Sequence, residues 1–239
     1  MKKIFIAAFL LFISSLTVFA QKPVIIKTGE GVIVYPYQPR EGSVKAVRLK
    51  VFADGIIRVT SAPELSFNDK ESLTVIKQPE KTGWEMEEQN GYVLLKTKEL
   101  VAKIKLSSGA VSFFDQSGKT LLRERDINGK SLQPVMEEGK KLYSLRQVFE
   151  SDKEEAYYGL GQHQDDSWNY KGKKVIFFQN NTEVAVPYLV SVKNYGILWD
   201  NYSYSEAGDV RPMQQLSALA LYDKKGQPGW LTTSYYNDK

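Results

Sequence analysis

Residues 90–122 read NGYVLLKTKELVAKIKLSSGAVSFFDQSGKTLL, and the spacing of their apolar side chains decides the fold. Asn90-Gly91 is a hairpin signal, because both residue types tolerate the positive φ that a two-residue turn requires. It opens a pair of strands, YVLLKTK and LVAKIKL. In the second of these Ala102, Ile104 and Leu106 fall on one face, the period of two expected of a half-buried strand. Ser108-Gly109 then turns the chain into AVSFFD, and Ser117-Gly118 turns it again into TLL. A meander of antiparallel strands accounts for the whole stretch.

The same pattern extends upstream. Val47, Leu49 and Val51 alternate with Arg48 and Lys50, and Asp54-Gly55 supplies a tight turn into Ile57-Arg58-Val59-Thr60. After residue 20 no segment of ten or more residues keeps a 3.6-residue period, and β-branched and aromatic residues are frequent throughout. The class is therefore all-β, and the architecture expected is a large antiparallel β-sandwich. Residues 63–72 and 77–91 are polar and turn-rich and are expected to be loops, as is the EEGKK stretch 137–141. Downstream, Val184–Val192 (VAVPYLVSV) is apolar on both faces apart from Ser191, as in a strand covered on both sides. Pro187 within it points to a bulge or an edge position.

The first residues have a different texture. Lys2 and Lys3 precede an apolar stretch from Ile4 to Ile13, followed by hydroxyl residues and Val18-Phe19-Ala20. This order of charge, short apolar core and small residue predicts a secretory signal peptide over residues 1–20, cleaved after Ala20, and a periplasmic or secreted product with no membrane association after cleavage. One β-domain over residues 21–239 follows. Without Lys2 and Lys3, the 32 basic and 28 acidic residues leave a net charge of +2, too little to favour a nucleic-acid partner. The chain has no cysteine, which excludes thiol catalysis and disulfide stabilisation. His163 is the only histidine, so a multi-histidine zinc site is excluded and a Ser-His-Asp triad is nearly unsupported.

Between Tyr157 and Ser203 the chain carries an ordered set of motifs: Gly159-Leu160-Gly161-Gln162, a long loop to Lys174, Asn181-Thr182, Val186-Pro187-Tyr188, and Tyr195-Gly196-Ile197-Leu198-Trp199-Asp200-Asn201. Together they resemble the N-terminal β-domain of glycoside hydrolase family 31, whose members are retaining α-glycosidases. The loop SWNYKGK from Ser167 is most similar to members acting on the α-xylosyl branches of xyloglucan. Residues 22–150 match that family only in their strand pattern.

The resemblance implies a galactose-mutarotase-like supersandwich with no cofactor and no metal, serving an oligosaccharide or polysaccharide substrate. It also implies a C-terminal catalytic barrel as partner. Retaining hydrolysis needs a nucleophile and an acid/base carboxyl group roughly 5–5.5 Å apart, and in the family both are barrel aspartates, the nucleophile within a W-x-D-M motif. That motif is not in this sequence. The chain is therefore expected to be the non-catalytic N-terminal domain of an exported α-xylosidase or α-glucosidase, truncated at Lys239 near an insertion boundary at Tyr235-Tyr236-Asn237. The alternative is a stand-alone carbohydrate-binding or scaffold module. A mutarotase is disfavoured by the single histidine.

Candidate site residues follow from the same comparison. In the family a polar side chain just before the shared apolar strand bonds hydroxyls of the sugar being cleaved; the matching stretch here is Phe178-Gln179-Asn180-Asn181. Amides replace the aspartate found in many members, so neutral hydrogen bonds would replace charge-assisted ones. The other reading of Asn180 and Asn181 is a turn cap. Trp168 and Tyr170 are placed in the loop either to stack on a sugar ring or to fill a core. His163 is either a structural hydrogen bonder or a sugar contact. Trp199, in an apolar strand, is expected to be core.

Overall fold

The computed structural model describes residues 22–37, 42–76, 78–164, 167–179 and 181–208. Among them every regular element is a β-strand. The proposed signal peptide, Asp165, Asp166, Asn180 and the Tyr235–Asn237 stretch lie outside the described residues.

Two sheets form the sandwich. The first has the order β1 (Val24–Lys27), β2 (Gly31–Tyr35), β3 (Ala46–Ala53), β4 (Ile56–Ala62). The second runs from β5 (Glu85–Gln89) through β6 (Tyr92–Lys96), β7 (Leu100–Lys105), β8 (Val111–Asp115) and β9 (Thr120–Glu124) to the short β12 (Phe149–Glu150). A two-stranded hairpin, β10 (Lys130–Glu137) with β11 (Lys140–Gln147), stands between β9 and β12 in the chain.

Alternation puts the core between the sheets. In β3, Val47, Leu49 and Val51 point inward, and across the ladder Val34 faces Val47 while Val32 faces Leu49. The other sheet answers with Val93 opposite Ile104 and Leu95 opposite Ala102, and Val111 beyond Ile104. All belong to one buried cluster. Burying each such side chain is worth about 1.5–3 kcal/mol relative to exposure, so this cluster carries most of the driving force.

Strands reach into two segments expected to be loops. Residues 85–89, EMEEQ, form edge strand β5, joined to β6 by Asn90 (φ 50°) and Gly91 (φ 79°). Its carboxylates face water on an edge, where charge discourages pairing with another chain. The EEGKK stretch is the tip of the β10–β11 hairpin, with Glu138 and Gly139 both at positive φ, the two-residue turn geometry that matches strand twist.

The remaining strands are β13 (Tyr157–Gln162), β14 (Lys174–Phe177), β15 (Val184–Ser191), β16 (Tyr195–Leu198) and β17 (Ser205–Gly208). They form a three-stranded sheet β13-β15-β16 and a ribbon β14-β17. β15 is central, so Pro187 does not lie on an edge. It lies within a bulge: the register with β13 passes from Gly159↔Leu189 to Gly161↔Ala185, so that Val186, Pro187 and Tyr188 oppose Leu160 alone and the N–H that proline lacks is not called on by the ladder. Nor is β15 covered on both sides by the described residues. Leu189 packs into a small core, whereas Val184, Val186, Tyr188 and Val190 form an exposed apolar row, flanked by Tyr158 on β13 and Leu198 on β16.

Candidate carbohydrate-binding loop

The Gly-Leu-Gly motif positions the loop. Gly159 (φ 97°) and Gly161 (φ 104°) bracket Leu160, which itself has φ 64° and is driven into the small core with Tyr170 and Val175. Tyr157, Phe177 and Leu189 pack around these three. The backbone between β13 and β14 is tied back by Tyr170 N–H donating to Tyr157 O (2.9 Å). Asn169 Oδ1 adds bonds from Tyr157 N and Lys171 N, both 3.0 Å.

This folding separates the two loop aromatics. Tyr170 is 8% exposed and fills the small core, so its ring has no face to offer a sugar in this arrangement, whereas Trp168, two residues earlier, is 88% exposed. His163 lies against Tyr170 edge to face, its Nε2 2.9 Å from Leu160 O and its Nδ1 3.9 Å from Glu183 Oε2. Its ring therefore serves the loop's own structure. Gln179 is also occupied: its Nε2 donates to Glu183 O (3.0 Å) and its Oε1 accepts from Ala185 N (3.3 Å), closing the 179–185 turn. Asn181 is exposed at the tip of that turn, beside Thr182, whose φ of 68° is uncommon for a β-branched residue. Gln164 holds the Thr182 hydroxyl from the opposite side of the loop. Trp199 is half-buried rather than core, its backbone N–H donating to Pro187 O (2.8 Å).

Two described carboxylates of this region are committed to structure. Glu155, buried, accepts from Ser191 Oγ and Tyr195 OH, both 2.6 Å, and pairs with Lys193 Nζ at 3.2 Å. Burial raises its proton affinity, but the bonds from Ser191, Tyr195 and Lys193 outweigh this and hold it below the ordinary glutamate range. The same burial and the bond to Glu155 push the Tyr195 phenol strongly upward. Glu155 carries no local signal in the sequence, since its partners Ser191, Lys193 and Tyr195 lie on the far hairpin.

Asp200 is the second such centre. Its carboxylate takes Arg58 Nη2 (2.7 Å), Ser72 Oγ (2.9 Å), Tyr202 OH (2.9 Å) and Thr74 Oγ1 (3.1 Å), tying β4 and the 63–76 loop to the end of β16. Burial works against the charge, yet the hydroxyls of Tyr202, Ser72 and Thr74 and the Arg58 cation hold Asp200 below the usual aspartate range. Carboxylates held ionised in this way have no proton to give at neutral pH, which disqualifies them as general acids. A depressed folded-state pKa contributes stability above the unfolded value and loses it as pH falls through the folded one. Asp200→Asn is therefore expected to cost about 1–3 kcal/mol at neutral pH. Its deficit against the parent chain should shrink as pH falls from neutral through and below the ordinary aspartate range. Thermal midpoints across that range check this; a deficit constant with pH would contradict it.

Comparison with known proteins places this geometry. Residues 46–207 match the family described as the glycosyl hydrolase 31 N-terminal galactose mutarotase-like domain. An α-xylosidase of Saccharolobus solfataricus is 30% identical over 169 residues, covering 66% of this chain and 22% of that protein. The crystal structure of a family 31 α-xylosidase from Xanthomonas citri superposes with a TM-score of 0.75 at 42% identity, covering 85% of this chain and 22% of that one. A family 31 α-xylosidase from a soil metagenome, solved with xylose, gives a TM-score of 0.62 at 26% identity over 77% of this chain and 29% of that one. The chain belongs to the N-terminal galactose mutarotase-like domain family of glycoside hydrolase family 31. It spans less than a third of the length of these relatives.

Proposed function

We propose that this chain is the non-catalytic N-terminal β-sandwich of an exported retaining α-glycosidase, an α-xylosidase rather than an α-glucosidase. In this reading it supports a catalytic barrel and lends the loops on either side of β14, over 163–173 and 178–183, to the sugar pocket. The observation that carries the reading is the likeness to the Xanthomonas citri α-xylosidase, at 42% identity over 22% of that chain. Two physical features support it. The apolar row on β15 needs cover in water, since a contiguous exposed patch of this kind marks a contact surface. And Glu155 and Asp200, the two most heavily bonded carboxylates near the loop among the described residues, are committed to structural bonds rather than held ready as an acid/base pair. Within the loop, exposed Trp168 and Asn181 face solvent and are the sugar contacts we assign, with Asn180 between Gln179 and Asn181 in sequence; His163, Tyr170 and Gln179 position them. Export rests on the charge-apolar-small order of residues 1–20, and N-terminal sequencing of the exported protein should begin at Gln21.

The test is a transplant. The chain alone is expected to leave an aryl α-xyloside intact, while a chimera in which it replaces the matching segment of the Xanthomonas citri α-xylosidase should hydrolyse it. Asn181→Ala in the chimera should lower kcat/KM by about 2- to 13-fold, the worth of one neutral hydrogen bond. Trp168→Ala should act mainly through KM. Turnover by the isolated chain that disappears on changing one of its own carboxylates would overturn the non-catalytic reading. Unchanged kinetics in both loop variants would retire the pocket contribution.

A further inference from the structure

Trp168 lies before β14 and Asn181 after it, so their relative position depends on what joins the two loops. Two side-chain contacts do so. Gln164 Nε2 donates to the hydroxyl of Thr182, whose φ is 68°, and beside it His163 Nδ1 lies 3.9 Å from Glu183 Oε2. The first is a hydrogen bond between neutral groups and is indifferent to pH. The second depends on where the protons of His163 are.

A carbonyl oxygen can only accept, so the 2.9 Å contact of His163 Nε2 with Leu160 O puts the proton of the neutral ring on Nε2. Nδ1 is then a lone pair facing a carboxylate, acceptor against acceptor, and 3.9 Å lies outside hydrogen-bond range. A second proton on the ring reverses this. Nδ1–H becomes a donor on a cation, and Glu183 can accept from it in a short, charge-assisted bond. Leu160 O on β13 holds Nε2 and the Tyr170 phenol ring stands edge to face at 6.1 Å, so Glu183 is the carboxylate that meets Nδ1. The His163 side chain is 9% exposed and that of Glu183 32%, so salt and water screen the pair only in part.

We propose that His163 and Glu183 form a proton-operated latch: a proton taken from solvent onto Nδ1 draws the Asn181–Glu183 turn against the loop at His163 and orders Asn181 relative to Trp168, and its loss releases the turn. Histidine is the side chain whose charge ordinarily changes between about pH 5 and 8. A bond that exists only while the ring is charged contributes stability at the acid end of that range and loses it as pH rises. The bearing of the latch on a glycan rests on the reading of these loops as part of a sugar pocket, whereas the latch itself rests on the two side chains. His163 is the only histidine, so its imidazole proton resonance can be followed through a titration without ambiguity. The measurement is that titration together with the backbone 15N heteronuclear Overhauser effect of Asn181, Thr182 and Glu183 in the full chain, without ligand, from about pH 5 to 8.

The turn should be more ordered at the acid end, with the same midpoint as the imidazole. Glu183→Gln, which keeps the shape and removes the charge, should leave the turn released at every pH, and His163→Gln should do the same. Gln164→Ala removes the neutral contact and should loosen the turn while leaving its pH dependence in place. Circular dichroism checks that each variant is folded. Turn order independent of pH in the parent chain overturns the latch, as does a pH dependence that survives in folded Glu183→Gln. Saturation-transfer difference NMR with methyl α-D-xylopyranoside then separates the latch from the site. Affinity about 1.4- to 5-fold higher at the acid end, the worth of a partly exposed ion pair, supports both. A turn ordered by the proton without sugar binding at either end keeps the latch and removes the sugar assignment of Trp168 and Asn181.

Discussion

Replacing Leu49 by alanine is expected to lower the stability of the sandwich by about 2–5 kcal/mol, toward the upper end of that range. Leu49 has no exposed surface and lies between Val32 and Val59 on the neighbouring strands, beneath the opposing layer of Val93, Leu95, Ala102 and Ile104. The size of the loss depends on how far the surroundings can collapse into the space left. Here most of the neighbours (Val32, Val59, Val93, Ile104) are β-branched residues with one stiff torsion, and all but Val59, on edge strand β4, sit on strands laddered on both sides. Little collapse is available to them. Chemical denaturation of Leu49→Ala beside Leu73→Ala, which removes an exposed leucine of the 63–76 loop, measures the difference; a loss below about 1 kcal/mol for Leu49 would mean that the two sheets do not share a core.

Gly161→Ala should be at least as damaging, for a backbone reason. A Cβ at position 161 would lie 1.9 Å from Val184 O and 2.8 Å from Val186 N, both main-chain atoms of the paired strand, and φ there is 104°. The conformation alone costs about 1–3 kcal/mol for a residue with a side chain. Forcing the strands apart adds a further ~1–3 kcal/mol of overpacking. Because the same bulge drives Leu160 into the core beside Tyr170, loosening should spread to the loop. We therefore expect a lowered thermal midpoint accompanied by faster hydrogen exchange at Tyr170 N–H. A midpoint within 2 °C of the parent, about what a fraction of a kcal/mol produces in a domain of this size, would show that β13 can relieve the contact by shifting.

What the sequence made legible was whatever repeats locally. The meander over 90–122 could be read because each turn has its own chemistry and each strand alternates, and the Gly-Leu-Gly motif could be read as a unit although its reason, a bulge pressed on β15, needs the partner strand. Strand β5 escaped because EMEEQ has a single apolar residue among carboxylates, and its strand character comes from pairing with β6. The β10–β11 hairpin escaped because Pro134 interrupts the first strand and charged residues crowd the turn at Glu137–Lys141, although Leu132, Met136, Tyr143 and Leu145 share one face. In the loop, pattern alone could not tell Trp168 from Tyr170: both are aromatic residues among polar neighbours, and only the tie from Tyr170 N–H to Tyr157 O turns one inward and leaves the other out. The Asp200 cluster was beyond reach for a simpler reason, since Arg58 and Ser72 lie more than a hundred residues from the carboxylate they bind.

The order of strands in the two large sheets bears on how the chain comes to be folded. From β1 to β4, and again from β5 to β9, every ladder joins consecutive strands, so each closes with a short loop and a small entropic cost. The Arg58–Asp200 bond is the opposite case, closing a loop of 142 residues. As the polypeptide leaves the ribosome, the first sheet can be complete before Tyr157 has been made. The segment that presents Trp168 and Asn181 would then be laid onto a scaffold already in place and clamped last through Asp200. Arrested nascent chains ending near residue 150 should accordingly resist protease over 24–124, and full sensitivity of that region until Asp200 emerges would show instead that the two parts form together.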